Sequence, residues 1–366
     1  LWRLLDVGPV DGYTMTNLYE AVGRAVSEGS SPDTVILNHP ERPFVNVGYH
    51  QLMEKEIDVD YAREMGFDLV RRTIGGGAIL DGPWEQDYFV VVHRRSPECP
   101  SSIPEFYAKF LRPPVHALRG YGLDARLRPP NDILVGGRKI SGNGAITIDE
   151  ANVLAGDLLL QLPIELMMRI IKAPSEKFRD KLAESMAQWL TSMEDELGAP
   201  PDREEVKRRL AEGFEEELEI RLEPGPITPK EKGYLEELLR ERRSEEWIFG
   251  KDLDYRRLTS AGGRGAKVRG GVAVCEAVHK ADKLVRVTMV VIDDRIDGIS
   301  ISGDFFTQPY MGAISRLEEA LAGAPLEEDA LKGRIREAFA RIGLKTFGAT
   351  PDDFAAAILK AKENLP

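Results

Sequence analysis

The sequence predicts an α+β fold in two parts, a large mixed-sheet domain and then a small α+β domain, on three observations. Its 366 residues exceed what one hydrophobic core usually organises. Runs rich in Val, Ile, Phe and Tyr, strand-like in pattern, recur through the first half of the chain. The tail, roughly 263–366, has apolar patterning of its own, three strands and then three helices.

Taken in order, TMTNLYEAVGRAVSEG near the N-terminus has apolar residues at helical spacing and ends on glycine, as a helix does. DTVILNHP, PFVNVGYHQ, FDLVRRTIGGG and QDYFVVVHRR then read as strands. IPEFYAKFLRPPVHALRGYG reads as helix, with Pro113 and Pro114 breaking or restarting it. NDILVGGRKISGNGAITI reads as a hairpin: ILV runs up, Gly136-Gly137 turns, KIS returns, and another strand follows the Gly-Asn-Gly stretch. From about Pro163 to Arg243 the chain is helical and strongly charged, the usual mark of solvated helix faces. GRGAKVRGG, 263–271, lacks the GK[ST] ending of a phosphate-binding loop and reads as a linker entering an edge strand. The boundaries expected are therefore 1–250 for the first domain, 251–262 for a linker and 263–366 for the second. The tail supplies strands VAVCEAVHK, LVRVTMVVID and IDGISISGDF, then three helices, the last with Thr350 as N-cap and Pro351 at the first helical position.

Composition narrows the function classes. A formal charge of −12 argues against nucleic acid as the main partner. No apolar run approaches the roughly 18–20 residues that span a bilayer, and LWRLLDVGPVDG has no signal-peptide pattern, so no membrane partner and a cytoplasmic location are expected. Cys99 and Cys275 stand far apart without a CxxC spacing, and the five histidines form no HxxxH or HExxH pattern. Neither a disulfide framework nor a transition-metal site is expected.

Two stretches carry chemistry. In RRTIGGGAILD, residues 71–81, three consecutive glycines lose much conformational freedom on folding, and what they offer in return is backbone that a ligand can approach closely. Arg71 and Arg72 add cationic donors suited to phosphate or carboxylate. In RPPNDILVGGRKISGNG, residues 128–144, Asn131 and Asp132 offer an amide and a carboxylate suited to hydrated magnesium and nucleotide phosphate. Lys139, beside Ile140, Ser141 and Gly142 on the return strand, offers a fixed cation of the kind acyl activation needs to bring two anions together. Taken alone, GGG is as readily a tight turn and Lys139 as readily an exposed lysine.

Together, about 60 residues apart and in this order, the two stretches resemble the lipoate-protein ligase family, in the larger group that includes biotin-protein ligases. RRTIGGGAILD is similar to the family's RRxSGGGAVxHD, and PNDILVGGRKISGN to its second motif; TNLYEA, VNVGYHQ and SEEWIFGKD add weaker likeness. The resemblance implies a lipoate/biotin ligase-like catalytic domain with a C-terminal accessory domain. It implies activation of lipoate or octanoate by ATP with Mg2+ to an acyl-adenylate, then transfer to a lysine of an acceptor, a lipoyl domain of a 2-oxoacid dehydrogenase complex or the glycine cleavage H protein. By motif, Arg72, Gly75, Gly76 and Gly77 would line the acyl and adenylate tunnel, and Asn131 and Asp132 would face phosphate and magnesium. Lys139 would contact the acyl carbonyl and phosphate oxygens, with Ser141 and Gly142 beside it. Lys181 would belong to an adenylate-covering loop, with Ser185 beyond it. A basic rim including Arg71 and Arg138 is expected to meet an acidic acceptor.

The chain departs from the family at Leu80 (usually His), at Pro83-Trp84 (usually Gly-Asn), at Ala155 and Asp157 in AGDLL (usually HGTLL), and at Trp189 (usually Arg). Two alternatives stay open: an octanoyltransferase drawing on an acyl-carrier thioester, and a non-catalytic acyl- or partner-binding homologue. One branch of acyl transferases on this scaffold uses a cysteine near the GrK strand. Residues 120–162 contain none.

Overall fold

A computed structural model describes residues 1–173, 175–262 and 272–365. The first half runs β1 (Trp2–Val10), α1 (Gly12–Ser27), β2 (Thr34–Pro40), β3 (Phe44–Val47), α2 (Met53–Glu56), α3 (Val59–Glu64), β4 (Asp68–Arg71), β5 (Ile79–Asp81), β6 (Glu85–His93), α4 (Ile103–Phe110) and α5 (Arg112–Gly120). Next come β7 (Ala125–Arg128), β8 (Asp132–Val135), β9 (Arg138–Ser141), β10 (Asn143–Ile148), β11 (Ala151–Leu159), α6 (Ile164–Ile170), α7 (Glu176–Trp189), α8 (Met193–Leu197), α9 (Arg203–Leu218), β12 (Leu222–Pro224), α10 (Pro229–Arg242) and α11 (Glu245–Gly262). The chain closes with β13 (Val272–Lys280), β14 (Leu284–Ile292), β15 (Arg295–Gly303), β16 (Phe306–Gln308), α12 (Ala313–Leu321), α13 (Glu328–Ile342), β17 (Lys345–Phe347) and α14 (Pro351–Glu363).

Two compact units emerge, and their boundaries are not those expected. One comprises 1–46, 57–70 and 79–244; the other gathers 47–56 and 71–78 with 245–366. The expected linker at 251–262 is the C-terminal part of α11, because WIFGKDLDYRRL buries Ile248 and Phe249 and continues as helix. GRGAKVRGG lies outside the described residues.

The first unit is built on a six-stranded mixed sheet ordered β10-β11-β6-β2-β1-β12, parallel at β2-β1-β12 and antiparallel elsewhere. Strand β6 is buried along almost its whole length because both faces are covered. Tyr88, Val90 and Val92 pack with Phe106, Phe110 and Phe214 from α4 and α9, while Phe89 on the opposite face stacks on Tyr19 of α1 at 5.4 Å. The helix predicted across Pro113-Pro114 breaks at Leu111 and restarts as α5 with proline in its first turn, where a missing N–H costs nothing. β1 and β12, not foreseen from the sequence, complete the sheet.

In the second unit the meander β13-β14-β15 packs against α12, α13 and α14 around Phe305, Phe339 and Phe354. Thr350 caps α14 in a reciprocal box with Asp353. Among the described residues no helix is long and apolar enough to cross a membrane.

Candidate active site

The hairpin β8-β9 positions Lys139. Gly136 and Gly137 take φ of 57° and 83°, the left-handed pair that a two-residue hairpin turn demands. The strand pairing slips between Ile133 and Leu134. Lys139 Nζ lies 2.9 Å from Asp132 Oδ1, and Arg128 holds Asp132 Oδ2 at 2.5 Å. Burial raises the proton affinity of Asp132, but Lys139 and Arg128 outweigh it and hold the carboxyl below its ordinary value. Lys139's carbonyl accepts Thr191 N–H at 2.9 Å, and its strand bridges Leu190, so the end of α7 is pinned beside the lysine. The side chain stays one-third exposed.

A second network lies behind. Tyr88 OH donates to Asn143 Oδ1 at 2.6 Å, and Asn143 Nδ2 donates to Ser141 Oγ and to the Asn131 carbonyl, both at 3.0 Å. Asn131 Nδ2 donates in turn to the Asn143 carbonyl. Ser141 is fully buried, and burial drives the Tyr88 phenol far above its usual value, so it stays a neutral donor. Gly156 makes room: a Cβ there would stand 2.1 Å from Asn143 Oδ1.

Along the same sheet runs a row of acids, of which the sequence singled out Asp157 alone, as a departure from the family motif. Asp157 is directly opposite Asp87, which is directly opposite Asn38, so the three share a face. Glu85 lies two residues from Asp87, hence on that face too. Asp157 Oδ1 accepts the Gly142 N–H at 2.6 Å. Burial pushes Asp157 up to about 6, and burial together with neighbouring carboxylates pushes Glu85 and Asp87 well above the carboxylate range. The signal available was three acids, Glu85, Asp87 and Asp157, beside the apolar runs YFVVV and LL.

The other arginine-glycine stretch belongs to the second unit. Arg71 is 3% exposed and donates to the carbonyls of Tyr49, Gln51 and Ile248 at 3.0, 2.6 and 3.0 Å, with Asp252 at 3.3 Å. Burial lowers its guanidinium to about 10. Arg71 therefore cannot form part of an exposed rim; it clasps the VNVGYHQ and SEEWIFGKD stretches together. Trp247 Nε1 completes the clasp by donating to the Arg71 carbonyl at 2.8 Å. Arg72 donates to the carbonyls of Gly75 and Gly77 at 3.0 and 2.7 Å and so shapes the glycine loop itself. Gly76 has φ of 101°, and a Cβ on Gly48 would meet its carbonyl at 2.0 Å, which explains both glycines. A Cβ on Gly75 would meet the Phe305 carbonyl at 2.6 Å.

Other expected residues fall as follows. Arg138 is ion-paired with Glu196 at 2.8 Å. Lys181 is exposed on α7, about 12 Å along the helix axis from Trp189; Trp189 itself is 61% exposed. Leu80 is buried on β5 opposite Val45, and Ala155 faces Phe89. Gly82 is tucked under the Trp84 ring, where a Cβ would stand 2.4 Å from it. Among the described residues no group of histidine, cysteine and acids is arranged to hold a metal ion. Both Asp132 oxygens are engaged by Lys139 and Arg128.

The model of the lipoyl protein ligase A/B catalytic domain matches residues 11–215. The chain belongs to that family. Octanoyltransferase LipM of Kyrpidia tusciae is 32% identical over 272 residues, 68% of this chain and 99% of the relative. The bi-partite lipoate protein ligase of Thermoplasma acidophilum, solved in a study that includes its E2 lipoyl domain, superposes with a TM-score of 0.61 at 29% identity, covering 68% of this chain and 96% of that one. A lipoate-protein ligase A bound with ATP gives 0.58 at 25% identity, over 68% of this chain and 98% of that one. P. falciparum LipL1, in complex with lipoate, matches 98% of this chain and 100% of its own with a TM-score of 0.72 at 13% identity, which shows that the fold extends through the C-terminal domain.

Within this ligase and transferase family the cysteines bear on mechanism. Cys99 Sγ accepts from Asn152 Nδ2 at 3.4 Å, and burial raises the thiol above its usual value. Asn152 and Asp157 are five residues apart on β11, about 17 Å. Cys275 is 3% exposed in the core of the second unit and pushed up to about 11 by burial. Neither is the low-pKa, accessible thiol that attack on a thioester needs.

Proposed function

We propose that the protein is an ATP-dependent lipoate-protein ligase. In the first step the carboxylate of lipoate or octanoate attacks the α-phosphate of Mg-ATP, pyrophosphate leaves and an acyl-adenylate forms. In the second, a lysine amine of an acceptor, a lipoyl domain or the glycine cleavage H protein, attacks the acyl carbonyl and AMP leaves. The observation that carries this reading is Lys139, a cation fixed by Asp132 on a hairpin whose surroundings offer no reactive thiol. Such a cation stabilises the charge that develops on carbonyl and phosphate oxygens. The glycine loop and Arg72 are proposed to border the acyl group, and Lys181 to help cover the adenylate. The ATP-bound ligase and the system with an E2 lipoyl domain among the similar structures support nucleotide and acceptor alike.

The second reading, octanoyl transfer from a carrier thioester, is favoured by the LipM relative. Mass spectrometry of a lipoyl-domain acceptor separates the two. A mass gain with lipoate and Mg-ATP is expected; a gain from octanoyl carrier protein alone would establish the transferase. Lys139→Ala is expected to reduce adenylate formation at least 100-fold with an unchanged circular dichroism spectrum. Unchanged turnover would remove Lys139 from the mechanism.

A further inference from the structure

We propose that Asp157 accepts the proton of the acceptor lysine's ammonium, making it a second functional group beside Lys139. The inference rests on the ligase reading. Its geometric basis is Gly142: a Cβ there would stand 3.2 Å from Asp157 Oδ1 and 3.6 Å from Lys139 Nζ. Carboxylate and ammonium thus both border the space into which a side chain at position 142 would project, and the ammonium is the cation proposed to hold the acyl carbonyl.

An independent observation points to the ligand. Among the described residues, Asn38, fully buried in line with Asp87 and Asp157, has neither amide atom hydrogen-bonded, and Asp87 Oδ2 and Glu85 Oε1 also lack partners. Buried polar groups are rarely left so. Three of the open atoms, Asn38 Oδ1, Asp87 Oδ2 and Glu85 Oε1, are acceptors, which suits a group with several N–H donors and one positive charge, as a primary ammonium has. The charged groups facing Asp157 are Lys139 from β9, Asp132 from β8, and Asp87 and Glu85 from β6, with Asp81 from β5 and Arg203 from α9 acting on those two. Burial leaves Asp157 with a value of about 6, so at neutral pH it is an unusually basic carboxylate.

The step balances. One N–H proton of the ammonium passes to Asp157, and the freed lone pair attacks the acyl carbon. The C–N bond forms, the carbon–oxygen bond to phosphate breaks, and AMP leaves with that electron pair; the second nitrogen proton goes to solvent.

The half-reactions are measured separately on the full chain: adenylate formation from lipoate and Mg-ATP, then single-turnover transfer from lipoyl-adenylate to a lipoyl domain or to hydroxylamine, which is neutral at pH 7. Asp157→Asn is expected to slow transfer to the lysine at least 100-fold relative to adenylate formation and to hydroxylamine capture. Asp157→Glu should restore part of it, and the rise of wild-type transfer through about pH 6 should vanish in the Asn variant. Equal losses in all three reactions, or wild-type transfer with an unchanged pH profile, would overturn the role of Asp157. A wild-type protein that forms no adenylate would overturn the ligase reading, and this inference with it.

Discussion

Two adjacent arginines have opposite fates. Arg72 shapes the glycine loop, while Arg71 is sealed among carbonyls and Asp252. Removing one member of a buried ion pair strands the other, at a cost of about 3–5 kcal/mol. Arg71→Met is therefore expected to lower the urea midpoint of the second unit clearly, whereas Arg138→Ala, at a partly exposed pair in the first unit, should move that unit's midpoint little. Gly48→Ala would push a methyl into the Gly76 carbonyl, so a loss of about 1–3 kcal/mol and a weakened lipoate Kd are expected, by calorimetry and fluorescence titration. The sequence made Lys139 and the glycines legible because their pattern is local. It hid the burial of Arg71, whose partners Ile248 and Asp252 lie 177 and 181 residues away, and the acid row, which forms only when β2, β6 and β11 are in register.

At the scale of elements, the hairpin and most helices could be read from turn and cap residues. β1 and β12 could not, because parallel pairing between residues 220 positions apart, Trp2 opposite Leu222, leaves no short-range signal. Their join depends on Arg3, whose guanidinium grips fully buried Glu231 at 2.5 and 3.0 Å while Ser31 Oγ and Thr228 N–H donate at 2.8 and 2.7 Å. Burial raises Glu231, but Arg3 and these donors bring its proton affinity below the ordinary value. A depressed carboxylate stabilises the fold above its unfolded value, about 4.3, and that contribution fades as pH falls through the folded value. Arg3→Met should accordingly be less stable than the wild type at pH 7, and the two unfolding free energies should converge below about pH 4.

The whole molecule divides by contact rather than by sequence order, since the second unit draws on 47–56 and 71–78 as well as 245–366. Cutting at a boundary guessed from sequence thus cuts through a unit. A chain ending at Gly250 loses Asp252 and most of α11, leaving Arg71 without its carboxylate. Such a chain is expected to lose both half-reactions, with faster amide exchange across 71–78. Full activity in both would show that the glycine loop needs no C-terminal support.

The clasp around Arg71 also has a history within each molecule's synthesis. Residues 71–78 leave the ribosome roughly 170 residues ahead of α11, a delay of about 8–35 s at 5–20 residues per second. Throughout that interval the arginine lacks the Ile248 carbonyl and Asp252, and Gly75 lacks the Phe305 carbonyl that it packs against. The newborn chain therefore passes through a period in which its glycine loop has only part of its contacts, and the speed of translation across the charged helices sets how long that lasts.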